Sequence, residues 1–324
     1  MKLAILTLVA AAVLLGPSGR TEAAQIAGRD YLRLTDWARA NDFDVRWLKR
    51  DEMLQLSRRT ARLVLAVDSR QASLNGVGVW LSFPIVERNG GVFISQLDSQ
   101  TTVTPLLSPP KDPAGSVIKT VCLDPGHGGK DPGFSVGSHQ EKIYTLLLAR
   151  ELRDQLSGTG LRVSLTRDQD VYVDLSARPA AAKARKADLF VSLHFNSAGS
   201  AARSVQGAEV YCLTPPGAPS TNAQGEGGGA GAFAGNRFND RNTFLAYEIQ
   251  KALGKDVGVE DRGIKRARYE VLREATMPAV LIEAGFLSHP TEGRRIIDAK
   301  YRRLLAHAIA DGLLEYKRAV EQRG

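Results

Sequence analysis

The sequence predicts an α/β fold, a mostly parallel twisted sheet flanked by helices and preceded by a small α+β domain. Three observations predict it. From Val117 onward, short apolar runs alternate with longer segments of helical spacing, the pattern of a sheet covered by helices. Before that point the runs are short and punctuated by Asn-Gly turn signals. Between the two halves lies Ser108–Ser116, SPPKDPAGS, with the Pro, Gly and Ser of an exposed linker.

Taken in order, the chain starts like an export signal over residues 1–24. Met1-Lys2 is a short basic start, Leu3–Gly16 is continuously apolar, and small residues allow cleavage after Ala23 or Ala24. The apolar stretch is shorter than the roughly 20 residues that span a bilayer. No other segment approaches that length, so the expectation is an exported protein of the periplasm or cell envelope with no stable membrane insertion.

Residues 25–107 form the expected α+β domain. Asp30–Asn41 has helical spacing, with Tyr31, Leu34, Trp37 and Ala38 on one face. Leu63–Val67, Val77–Phe83 and Val92–Gln96 read as strands, separated by turns at Asn75-Gly76 and Asn89-Gly90-Gly91. The expected role is wall or partner binding, or that of a spacer. After the linker at 108–116, residues 117–324 carry strand candidates Val117–Leu123, Leu161–Thr166, Leu189–Leu193, Ala208–Leu213 and Ala279–Ile282. Helices are expected at Glu141–Leu156, Leu175–Lys186, Asn242–Leu253 and Tyr301–Ala319. Pro215–Asn242 is glycine-rich and reads as a mobile loop near the site edge.

Composition narrows the partners. The 324 residues carry a formal net charge of +8, but the basic residues are dispersed rather than gathered in one dense stripe with aromatics. That pattern disfavours nucleic acid and suits an anionic polymer such as a bacterial cell wall. The two cysteines, Cys122 and Cys212, lie inside expected strands and read as core residues that pair only if the fold brings them within bonding reach.

The chemistry concentrates at four positions. In Val121–Gly133, VCLDPGHGGKDPG, an apolar run ends at Asp124 and a Pro-Gly turn presents His127 among glycines. Glu141 opens the first long helix, His194 closes the run in DLFVSLHFNS, and Glu283 ends the run in PAVLIEAGFLSHP. Ligands of such sheets gather at strand carboxyl ends, which brings these residues to one edge. Two histidines and a carboxylate suit catalytic zinc, which keeps a fourth position open. A further carboxylate can then move the proton that amide hydrolysis requires. His139, His289 and His307 are left outside the set, with His289 as the most plausible accessory.

DPGHGGKDPG, Glu141-Lys142, SLHFNS and VLIEAGFLSHP resemble the zinc-dependent N-acetylmuramoyl-L-alanine amidases of the type-3 amidase family. So do Thr166-Arg167-Asp168 with Asp170, Arg178 and DRGIKRARYEVLR (261–273), and the likeness covers about residues 118–318. The resemblance implies a phosphorylase/hydrolase-like α/β fold, one Zn2+ per chain held by His127, Glu141 and His194, and Glu283 as the catalytic carboxylate. It implies peptidoglycan as substrate, cleaved at the amide between the lactyl group of muramic acid and L-alanine. Two departures stand out: His289 replaces the usual Asn after FLS, and the segment 215–241 is too glycine-rich to form the plug helix of some cell-division relatives. The alternatives are another zinc peptidase acting on stem peptides and a wall-binding protein without activity. The second would require a lost site residue, and all four are present.

Overall fold

A computed structural model describes residues 23–112, 116–222 and 231–321. The expected export signal, up to residue 22, lies outside the described residues, as does the 223–230 part of the glycine-rich segment. Among the described residues, no helix is long and apolar enough to cross a membrane.

An eleven-stranded sheet organises the molecule. Arg162–Leu165, Thr120–Pro125, Leu189–Asn196 and Ala279–Phe286 run parallel side by side. Ala208–Leu213 then pairs antiparallel with Ala279–Phe286 and parallel with Asp261–Ala267. The central strands are apolar on both faces because both faces are covered. Val121, Leu123, Leu189, Val191, Leu193, Val210 and Ile282 point to one side. There they meet the helices Glu141–Leu156, Asn239–Ala252 and Ala299–Glu321. Cys122, Phe190, Tyr211, Leu213, Ala279 and Leu281 point to the other side, a smaller core closed by the short helices Ala177–Ala184 and Glu270–Arg273. The thick cover lies on one face and the thin cover on the other, and the thin face leaves room for a site.

The N-terminal half joins this sheet. Val77–Trp80 pairs parallel with Asp261–Ala267 through Val79 and Ile264. Gln71–Leu74, Ala61–Ala66, Met53–Arg58 and Asp44–Lys49 follow as an antiparallel meander. Leu54, Leu56, Leu63, Leu65, Leu74 and Val79 enter the same core as Val121 and Ile282. A separate four-stranded sheet, holding Ala23–Ile26, Arg29–Arg33, Val86–Arg88 and Gly91–Ser95, completes this half. The segment 108–116 therefore connects two parts of one continuous core and does not hold two cores apart.

Several expected boundaries move for identifiable reasons. Residues 29–33 pair as a strand, so the helix expected from Asp30 begins at Leu34. Asp261–Ala267 is a strand that composition hides, because Lys265 and Arg266 are buried within it. Asp44–Lys49, Met53–Arg58 and Gln71–Leu74 are likewise strands without an apolar run. The glycine-rich segment is ordered at its far end. There a 3-10 turn, Ala234–Phe238, leads into a helix that begins at Asn239. Gly235 sits so close to the Leu272 carbonyl that a Cβ would stand 2.2 Å from its oxygen. Cys122 and Cys212 are both buried and both free.

The joint between the halves also satisfies buried charge. Arg266, 1% exposed, donates to the Thr101 carbonyl and to Thr243 Oγ1, each at 2.9 Å. Tyr247 donates its hydroxyl proton to the Leu74 carbonyl. A truncated chain of residues 116–324 would strip the Thr101 and Leu74 carbonyls from these donors and open Asp261–Ala267 as a sheet edge. Unsatisfied charged donors cost about 1.5–3 kcal/mol each. The truncated chain should melt at least about 10 °C below the full chain, and lose solubility, in a thermal scan with light scattering. Equal melting temperatures would show that the halves are thermodynamically independent.

Candidate metal centre and catalytic carboxylate

Strand Thr120–Pro125 ends in a turn whose backbone points away from the sheet. Asp124 is fully buried and accepts from Arg178 Nη1 at 2.9 Å, Thr166 Oγ1 at 2.6 Å and Ser192 Oγ at 2.8 Å. The carbonyls of the turn are captured by two buried arginines. Arg167 donates to Pro125 and Gly126, and Arg178 donates to Pro125 and His127. Without them the turn would bury carbonyls with no partner, which native folds avoid.

His127 adopts φ 60°, a conformation costly to a residue with a side chain. The turn enforces it. Gly128 and Asp131 exchange two backbone hydrogen bonds, at 2.9 and 3.1 Å. Asp131 Oδ2 lies 2.8 Å from His127 Nδ1, which fixes the ring and directs Nε2 inward. Gly129 donates its N–H to Asp170, which also holds Lys142 at 2.7 Å. Gly126 is required for space: a Cβ there would stand 2.2 Å from His194 Cε1. Gly133 is required for space and backbone together, with φ +63° and a Cβ position 2.6 Å from both Glu141 Oε2 and His127 Cδ2.

The structure brings His127, Glu141 and His194 together, their ligand atoms all within 4.8 Å of one another. Glu141 Oε1 lies 3.1 Å from His127 Nε2 and 3.1 Å from His194 Nδ1. Ligands of a tetrahedral zinc stand roughly 3.3 Å apart, so this donor set fits that ion. Glu141 is the first residue of its helix, and the N–H groups of Phe195 and Phe134 donate to its two oxygens. Burial alone would raise its carboxyl, but the two imidazoles hold it well below the usual carboxylate range. Burial alone would lower His127, and Glu141 with Asp131 raises it.

Glu283 stands beside this cluster. Its strand continues to Phe286, so Glu283 lies within the strand, not at its end. It is in register with His194 on one neighbouring strand and with Glu209 on the other. Glu283 Oε2 is buried without a hydrogen-bond partner. Burial, then the Glu141 and Glu209 carboxylates, pushes Glu283 well above the usual carboxylate range, while Lys265 pulls it back. A buried polar atom with no protein partner is the exception in native structures.

Behind Glu283 lies a network the sequence reading missed. Glu209, 1% exposed, accepts from Asn196 at 2.8 Å, from the Tyr211 hydroxyl at 2.7 Å, from Arg262 at 3.0 Å and from Lys265. An acid inside the apolar run AEVYCL was the available signal for Glu209. Lys265 had none, since its strand reads as a charged segment. Asp131, four residues after His127, was likewise legible only as part of a motif. His289 caps the helix Pro290–Ile297, accepting from the Glu292 N–H at 3.2 Å. His139 contacts the Tyr144 hydroxyl, and His307 lies near Asp311 on the exposed side of the last helix.

The four residues open onto a cavity of about 500 Å³, walled by Phe134, Tyr172, Leu175 and Tyr269. None of the described residues of the glycine-rich segment lines it.

The site is thus a cavity holding a His-Glu-His donor set beside a buried carboxyl, on a helix-flanked, mostly parallel sheet. The chain belongs to the N-acetylmuramoyl-L-alanine amidase family, whose pattern matches residues 121–315. It is 36% identical over 219 residues to the N-acetylmuramoyl-L-alanine amidase AmiC of Neisseria meningitidis serogroup B, a match covering 60% of this chain and 52% of that protein. The chain thus spans about half the length of that relative. The crystal structure of an N-acetylmuramoyl-L-alanine amidase from Clostridium difficile 630 superposes with a TM-score of 0.52 at 34% identity, over 62% of this chain and 97% of that one. The AmiC2 amidase of Nostoc punctiforme gives a TM-score of 0.52 at 31% identity, over 62% and 98%.

The contact between Gly126 and His194 makes a sharp test of the centre. Gly126→Ala removes no ligand but drives a methyl group into the His194 ring. It should lower zinc affinity by at least about tenfold, within the range seen for disturbed ligand orientation. His194→Ala should abolish stoichiometric zinc altogether. Competition titration with a chromogenic chelator measures both, and wild-type affinity in either variant would dismiss this set as the metal site.

Proposed function

We propose that this protein is an exported, zinc-dependent N-acetylmuramoyl-L-alanine amidase, hydrolysing the amide between the lactyl group of N-acetylmuramic acid and L-alanine in peptidoglycan. Residues 117–324 are the catalytic unit in this reading, and residues 25–107 extend its sheet. The observation that carries it is the placement of Glu283, unpartnered at Oε2, in register with His194 of the His127–Glu141–His194 set. Zinc in that set supplies Lewis-acid polarisation of the scissile carbonyl and lowers the pKa of water.

The chain's own residues do the rest. Glu283 takes a proton from the attacking water as general base and returns it to the departing amine of L-alanine as general acid. Its enclosed position suits both roles, since a carboxyl raised from its usual value holds a proton nearer neutral pH. Glu141 stays ionised beside it, so two neighbouring carboxyls divide the work of ligand and proton carrier. Asp131 holds His127 in one tautomer. The aromatic and apolar walls at Phe134, Tyr172, Leu175 and Tyr269 limit bulk water around the reacting amide.

Glu283→Gln keeps the side-chain volume and removes the base. It should retain zinc while losing at least about 100-fold in kcat on purified peptidoglycan. Mass spectrometry of wild-type digests should show free lactyl ends on the glycan and stem peptides beginning at L-alanine. Release of amino acids from the stem would replace this reading with a peptidase, and near-normal rates in Glu283→Gln would remove Glu283 from the chemistry.

A further inference from the structure

The catalytic face of the sheet does not stop at the catalytic strands. Glu283 is in register with Glu209, Tyr211 lies two residues further along and pairs with Lys265, and the next pair on that strand joins Ile264 to Val79. Lys265 therefore stands beside Trp80, and its ammonium lies 5.8 Å from the Trp80 ring centroid. Glu283, Glu209, Lys265 and Trp80 share one face over three interstrand steps, roughly 14 Å.

At the far end of this row is a second cavity, of about 340 Å³, at the seam between Val77–Trp80 and Asp261–Ala267. Gln71, Trp80, Glu260, Asp261, Arg262 and Lys265 line it. The seam is tight and fixed. A Cβ on Gly263 would stand 2.9 Å from the Gly78 carbonyl carbon and 3.3 Å from Trp80 Cδ1. Trp80 Nε1 donates to the Arg262 carbonyl at 3.2 Å, and Asp261 accepts the Gly78 N–H at 2.7 Å. The indole is held in place before any ligand arrives, which lowers the ordering cost of binding.

We propose that this seam is a saccharide subsite that holds the glycan strand of the substrate beyond the sugar at the scissile amide. It rests on the amidase reading for the identity of the polymer. The chemistry favours a neutral sugar over a stem peptide. The lining offers two acids and two bases, so it carries no net charge to attract peptide carboxylates. It does offer an aromatic surface for the C–H face of a pyranose, with Gln71 and Arg262 beside it for hydroxyl and acetamido groups. The seam lies roughly 14 Å along the sheet from Glu283, within reach of a glycan strand, with the buried Glu209 and Lys265 forming an ion pair in the sheet between them. The N-terminal half thereby contributes a wall of the substrate groove.

The test is isothermal titration of the metal-free, full-length protein with a β-1,4-linked N-acetylglucosamine tetramer, which carries no peptide. The wild type should bind it saturably. Trp80→Ala should weaken binding about tenfold and Gln71→Ala about threefold, with Trp80→Phe recovering most of the loss. Should Trp80→Ala fail to fold, Trp80→Phe and Gln71→Ala carry the comparison. In hydrolysis, Trp80→Ala should lose about tenfold more kcat/KM on multi-sugar glycan than on a muropeptide bearing one sugar. Absence of saturable binding by the wild type overturns the proposal, as does tetramer affinity unchanged in the variants. Displacement of the tetramer by a free stem peptide at Trp80 overturns it in favour of a peptide subsite. A wild type that binds the tetramer through Trp80 yet releases no lactyl ends keeps the subsite and overturns the amidase reading instead.

Discussion

The capture of three consecutive carbonyls by two buried guanidinium groups underlies the whole site. A strand that ended in solvent would hand its carbonyls to water. Thr120–Pro125 ends under a covered sheet, so the carbonyls of Pro125, Gly126 and His127 need internal donors, and Arg167 and Arg178 supply them. Two buried cations would themselves be costly. Asp124, at the end of the same strand, neutralises one directly through its 2.9 Å contact with Arg178. Burial lowers Arg167, and Asp124 with Asp170 partly offsets it. The turn that aims His127 is thus fixed by charges buried for that purpose, and the strained φ of His127 is stored there at a cost the arginines offset.

That constraint explains the asymmetry of the fold. Three long helices cover one face, and only short ones cover the other. A sheet fully covered on both faces would leave no passage to residues in mid-strand such as His194 and Glu283. The thin face exposes them to a cavity while the thick face supplies the burial that holds the strands in register. Because side chains alternate along a strand, a slip of one residue would send Glu283 into the helical core and Ile282 into the cavity. The apolar neighbours on either side of Glu283 therefore specify its position as firmly as any polar contact.

Legibility in the sequence followed the same logic. Glu283 and His194 were readable because each closes an apolar run, where the ligands of such sheets gather, although both strands continue past them, to Phe286 and Asn196. His127 was readable through the glycines around it, and Gly126 and Gly133 prove to be spacers against the His194 and Glu141 side chains. The helix from Glu141 and the central strands also follow from their patterns. Asp261–Ala267 escaped because its buried members are Lys265 and Arg266, whose burial depends on Glu209, Thr101 and Thr243, partners far away in the chain. The continuity of the sheet escaped for the same reason. A proline- and glycine-rich connector looks identical whether it joins two cores or crosses one.

This continuity changes what the N-terminal half can do. A tethered module raises the local concentration of substrate but leaves the chemistry untouched. A half that supplies strands to the sheet carrying His194 and Glu283 is instead part of that sheet's own surface. Its apolar side, Leu54, Leu56, Leu63, Leu65 and Val79, is committed to the shared core. Its opposite side carries Trp80, Gln71 and Ser73, which pair across neighbouring strands on the face that continues from Glu283. Period-two alternation thus leaves this half one apolar face for stability and one polar face in line with Glu283. The same residues cannot be deleted without exposing Asp261–Ala267, the strand that anchors Glu209 through Arg262 and Lys265 behind that carboxylate. The two halves meet where Val79 pairs with Ile264, a joint that the Gly78–Asp261, Trp80–Arg262 and Arg266–Thr101 hydrogen bonds extend.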